Sequence, residues 1–138
     1  MNYKKGLSLT AESVATNMGQ NYTASNYHGA PVNVTLEAFS SYSLNYESTQ
    51  DKLSWQNVKN SINNDYPFAI RLRSSSANSG HIVTGYGYEC RYGDDYMYAD
   101  WRYVSVWDSN GYQWLFPYHS SSYNLYGYDW EWIDTLKY

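Results

Sequence analysis

One cysteine, three prolines and three phenylalanines in 138 residues close several possibilities at once. A lone Cys90 excludes an internal disulfide and leaves too few thiolates for a cysteine zinc site. The three histidines, His28, His81 and His119, stand far apart without ligand spacing, so no metal and no other cofactor is expected. Asp94, Asp95 and Asp100 cluster, but not at the spacing of a calcium loop, and a solvated acidic loop is the simpler expectation. No apolar run is long enough for a membrane-spanning helix, so no membrane partner is expected. Nine Lys and Arg stand against 13 Asp and Glu, with no basic block. Nucleic-acid binding would need such an electrostatic footprint, so that class is set aside. Met1 to Gly6 lacks the apolar core of a signal peptide.

What is abundant is tyrosine and tryptophan, 18 and 6 residues. Such a chain buries ring faces while keeping hydroxyls and indole N–H groups near water or a partner. The length suits one domain over 1–138 with a real core. Low charge and the Asn/Ser/Tyr-rich composition match a secreted or cell-surface bacterial protein.

Along the chain, helix signals come first. Leu9 to Val14 reads as a helix start, with Thr10 as cap, Glu12 in the first turn and Leu9 stapled to Val14, and Gly19 as its end. A second short helix is expected after Asn33, with Leu36 and Phe39 facing inward. The start signal recurs at Leu53-Ser54-Trp55-Gln56-Asn57-Val58. Ser54 caps, and Trp55, Val58 and Ile62 share one face. Asn63-Asn64-Asp65 ends this helix, and Pro67 admits an extended segment, Phe68 to Leu72. From there the pattern is β: roughly 81–88, 103–108, 112–116 and 130–136, joined by tyrosine-rich connections. Helices followed by an antiparallel sheet or half-barrel make an α+β fold.

Two stretches carry the chemistry. Ser79 to Tyr88 opens with Gly80-His81 and runs through β-branched residues into glycines and tyrosines. Tyr103 to Asp108 ends in a carboxylate before the turn Ser109-Asn110-Gly111. Neighbouring antiparallel strands would set His81 beside Asp108, whose carboxylate would fix the imidazole tautomer and leave the other nitrogen as a base. The plainer readings are a satisfied histidine at a strand end and an Asx-turn aspartate closing a hairpin. The tyrosines of 86–103 and 112–128 suit a peptide or glycan groove, or simply a sheet built with Tyr in place of Phe and Val.

The order of five blocks resembles a known family: Leu9 to Ala15, Leu53 to Ile62, Pro67 to Leu72, Gly80-His-Ile-Val-Thr-Gly-Tyr86 and Val104-Ser-Val-Trp-Asp108. It is similar to the papain-like, C39-like bacterial cysteine peptidases, and more distantly to the staphopain and streptopain groups. The resemblance covers about residues 7–110. It implies that His81 is the general base, that Asp108 orients it, and that Trp107 and Trp114 shield their hydrogen bond. It also implies a nucleophilic Cys at the start of a long helix, preceded by a Gln for the oxyanion hole. Neither matches a position here. The expectation is therefore a domain shortened at its N-terminus, without thiol-protease turnover as it stands. A Cys-bearing segment, or self-association, would cover the apolar face left open. Cys90 is read as an ordinary thiol, because Glu89, Asp94 and Asp95 oppose the thiolate that Arg91 would favour. The alternative is a non-catalytic secreted module binding peptide or cell-wall glycan on the same scaffold. An inhibitor or immunity-type protein is a third.

Overall fold

The computed structural model describes residues 11–18, 31–91 and 101–138. These fall into two compact units, Met1–Ser48 with Tyr138, and Thr49–Lys137. In the first unit α1 spans Ala11–Asn17 and α2 spans Val32–Ser41, followed by the two-residue strand β1, Glu47–Ser48. The expected cap Thr10 and stop Gly19 lie outside the described residues. Helix α2 begins one residue before Asn33, because Pro31 takes the cap position and its carbonyl accepts from Thr35 N at 3.0 Å. A proline there gives up no helical hydrogen bond. Ala38 is the buried residue of this helix, while Leu36 and Phe39 are half-buried. Phe39 stacks on Tyr46 at 4.4 Å.

The second unit begins with α3, Trp55–Asn63, capped as the sequence predicts: Ser54 Oγ accepts from Asn57 N at 3.3 Å. Val58 and Leu53 are buried in the core, and Trp55 and Ile62 pack against it. Asp65, in left-handed backbone at φ 58°, turns the chain toward Pro67. Six strands follow: β2 Phe68–Ser74, β3 Ser79–Arg91, β4 Trp101–Asp108, β5 Gln113–Pro117, β6 Tyr123–Leu125 and β7 Tyr128–Lys137. Five form an open antiparallel sheet in the order β7-β2-β3-β4-β5, and β6 folds back on β7.

Strand alternation assigns the faces. Phe68, Ile70 and Leu72 on β2, Val83 on β3, Val104 and Val106 on β4, and Phe116 on β5 point into one core with Trp132 and Leu125. Thr84 and Trp107, paired across β3 and β4, point the other way and are exposed. Gly85 is required where it stands. A Cβ there would lie 2.4 Å from the Phe68 ring, so the strand can pass over that ring only without a side chain.

The α+β class holds, and the sheet is open. Strand β3 runs three residues past the expected end at Tyr88, so Cys90 lies inside it, opposite Arg102, and not in a loop. Strand β7 matches the expected run 130–136, whereas β6, with the turn that joins the two into a hairpin, has no counterpart in the sequence expectation. Leu125 pairs with Tyr128, and the two residues between them, Tyr126 and Gly127, have φ of 57° and 79°. Positive φ at both central positions is the two-residue turn that matches strand twist. Asn-Gly announces such a turn; Tyr-Gly does not.

Candidate active site

His81 and Asp108 come from adjacent strands. Asp108 pairs with Val83, and His81 lies two residues before Val83, on the same face. That diagonal is within reach of long side chains. Imidazole Nε2 lies 2.7 Å from carboxylate Oδ2. Asp108 is fully buried, and the His81 side chain keeps 22% of its surface exposed.

Three further groups hold the carboxylate. The turn after β4 folds so that Asn110 N donates to Oδ1 at 2.8 Å, while Gly111 N donates to the Asp108 carbonyl. This is the Asx-turn reading of Asp108, realised together with the imidazole contact. Tyr126 Oη donates to Oδ2 at 2.6 Å, and Ser109 Oγ approaches Oδ1 at 3.5 Å. Burial alone would raise the pKa of Asp108, but the hydrogen bonds from Asn110, Tyr126 and His81 outweigh it and hold the carboxyl below its ordinary range. An ionised carboxylate only accepts, so Nε2 carries the proton in the pair and Nδ1 is left without one in the neutral ring.

Aromatic rings wall the pair. Trp130 lies 5.8 Å from the imidazole and Tyr126 lies 6.2 Å away, edge-on. Trp114 and Tyr112 lie edge-on to Tyr126, at 6.0 Å each. The indole N–H of Trp114 is buried with no hydrogen-bond partner among the described residues, so ring packing is what holds it. Trp107 does not shield the pair. Its position in β4 alternates with Asp108, so it faces outward beside Tyr86 and is 47% exposed. The rings beside the imidazole are Trp130 and Tyr126, and Tyr112 and Trp114 meet Tyr126 in turn. No local signal marks them, since the contact exists only once β6–β7 folds back.

Cys90 sits nine positions further along the same strand as His81. At about 3.3 Å per residue this is roughly 30 Å. A base must lie within hydrogen-bond reach of its nucleophile, so these two do not form a pair. His119 is exposed in a turn against Tyr118. His28, Asp94, Asp95 and Asp100 lie outside the described residues. Among the described residues no cluster of three or more His, Cys, Asp or Glu could hold a metal ion. No helix there is long and apolar enough to cross a membrane.

A histidine held by a buried carboxylate lies on an antiparallel sheet whose strands follow short helices in the chain, an α+β order. The family model described as the Peptidase_C39 like family matches residues 2–131, and the chain belongs to that family. It is a cysteine-peptidase-like domain, and the match runs through both compact units. No curated protein matches it significantly.

Proposed function

We propose that this domain serves peptide-bond hydrolysis by a Cys-His-Asp triad, with His81 as general base and Asp108 as its orienter. The observation that carries the reading is the 2.7 Å contact from His81 Nε2 to a buried carboxylate. With Nε2 committed, Nδ1 is the nitrogen that would take a proton from a thiol and return it to the leaving amine. The thiol is not Cys90, whose strand position keeps it out of reach. A cysteine from another segment or another chain would complete the site, and the 138 residues alone would give no thiol-protease turnover. The partner is a peptide or protein substrate, with a Cys-bearing segment or a second copy against the site. A secreted or cell-surface setting in a bacterium fits this role.

The test is to express the domain with whatever coding sequence lies upstream of Met1 and to treat it with a peptide electrophile that alkylates thiolates. Labelling of a cysteine other than Cys90, slowed a hundredfold or more by His81→Ala, is expected, since a positioned base contributes about 10²–10⁴-fold. No such cysteine, or labelling indifferent to His81, would sink the peptidase reading.

One observation favours a second reading, a non-catalytic module for peptide or glycan. Tyr86, Trp107, Tyr112 and Tyr128 expose between 43% and 56% of their surface, as stacking platforms do. Under it, ligand binding would persist in His81→Ala and fail in Trp107→Ala.

A further inference from the structure

The strongest unexplained feature of the second unit is the backbone at Tyr126. A bulky residue at φ 57° is uncommon, because left-handed backbone crowds its Cβ, and the turn would be easier with Asn or Gly there. Such strain persists where something else over-determines it. Here the side chain has a task that neither Asn nor Gly performs. The turn aims the Tyr126 hydroxyl at Asp108 Oδ2, 2.6 Å away, the same oxygen that takes His81 Nε2. Asn110 Nδ2 donates back to the Tyr126 oxygen at 3.3 Å, closing a ring of contacts from Asn110 through Tyr126 to Asp108.

We propose that Tyr126 is a positioning residue: through its hydroxyl it fixes the Asp108 carboxylate as an anion in one orientation, so that His81 is held with Nε2 protonated and Nδ1 free. The inference rests on the reading of His81 as a base, and it acts through Asp108 without touching substrate. The chemistry is straightforward. Oδ2 accepts from both Tyr126 and His81 while Oδ1 accepts from Asn110 N, so one rotation about the Cβ–Cγ bond satisfies all three donors together. Without the hydroxyl, burial would act on the carboxyl with less to oppose it. The carboxyl would then take up a proton more readily and lose its hold on the imidazole tautomer. The rings serve the same end. The Tyr126 ring meets His81 at 6.2 Å and Tyr112 and Trp114 at 6.0 Å each, contacts that favour this placement of the phenol.

The experiment uses the 138-residue chain, with the Asp108 carboxyl carbon and the His81 ring nitrogens followed by NMR through a pH titration. In Tyr126→Phe, which keeps the ring and the turn strain, the Asp108 midpoint is expected to move up, and the neutral His81 ring to shift from one tautomer toward a mixture. Tyr126→Asn removes the hydroxyl on a residue that suits left-handed backbone, and it should move the midpoint in the same direction if the Phe variant folds poorly. Tyr112→Phe, which alters the same ring cluster without a hydroxyl on Asp108, should leave both signals in place. An unmoved midpoint in both Tyr126 variants, or an equal movement in Tyr112→Phe, overturns the assignment. Because the readout is independent of any nucleophile, the two failures are distinguishable: thiol labelling tests the peptidase reading, and the titration tests whether Tyr126 holds the Asp108 carboxylate.

Discussion

Among the described residues the sheet buries two carboxylates, and they are held differently. Asp134 on β7 accepts from Gln50 N at 2.9 Å and from the Arg71 guanidinium at 3.0 Å. Asp108 on β4 accepts from a backbone N–H, a phenol and an imidazole. Both satisfy the rule that a buried charge must be paired and hydrogen-bonded. The difference lies in the partner. A guanidinium is charged at every accessible pH and presents only donors, so Arg71–Asp134 can do nothing but hold β2 to β7. A neutral imidazole donates through one nitrogen and keeps a lone pair on the other, so the same arrangement at His81–Asp108 leaves a nitrogen that can accept a proton. Two similar contacts thus separate into a strut and a site.

Breaking the strut should cost more than breaking the site. Arg71→Met takes the permanent cation from a buried carboxylate, which typically costs 3–5 kcal/mol. The guanidinium is partly exposed, so about 3 kcal/mol is expected from the urea midpoint. His81→Ala leaves Asp108 with its Tyr126 and Asn110 donors and should cost only about 1 kcal/mol. Equal losses would erase the distinction and make His81 a structural histidine.

Acid sharpens the contrast next. The folded pKa of Asp108 lies below its unfolded value, so its stabilisation is present above about pH 4 and disappears as pH falls through the folded value. Denaturation curves from about pH 6 down to about pH 3 should therefore steepen for the parent relative to Asp108→Asn, with other carboxylates cancelling in the difference. A variant with the parent's slope would mean that Asp108 is not held as an anion.

The smallest effect is expected at Trp107, and Trp130 supplies the contrast. Trp107→Ala, on the outward face, should change stability by less than about 0.5 kcal/mol and leave the His81 ring signals unmoved. Trp130→Ala removes a buried ring beside the imidazole and its N–H bond to Leu125 O, and should cost about 3 kcal/mol while shifting those signals. The reverse order would restore Trp107 as the shield.

Much of this was legible in the chain because it is local. The Ser54 cap, the Trp55/Val58/Ile62 face, the extended run after Pro67 and the Asx turn at Asp108 depend on residues within a few positions of one another, where pattern and propensity act directly. Even the meeting of His81 with Asp108 was foreseeable, since antiparallel neighbours place strand residues opposite one another. What lay beyond reach depends on return of the chain. Lys52 shows this: its ammonium donates to the Tyr118 and Ser120 carbonyls at 2.6 and 2.9 Å and lies within 5.1–5.4 Å of the Tyr118, Tyr123 and Trp132 rings. Burial lowers its pKa. Nothing near Lys52 in sequence announces that cage.

The sequence by itself determined the α+β order and the strands that carry His81 and Asp108, because helix period, strand alternation and turn chemistry are written residue by residue. Tertiary structure alone decided which aromatic rings enclose the pair, that Trp107 faces away, and that a tyrosine from β6–β7 reaches Asp108. Those outcomes follow from strand register and from a hairpin folding back, and a one-residue slip in register would have sent every one of those side chains to the opposite face.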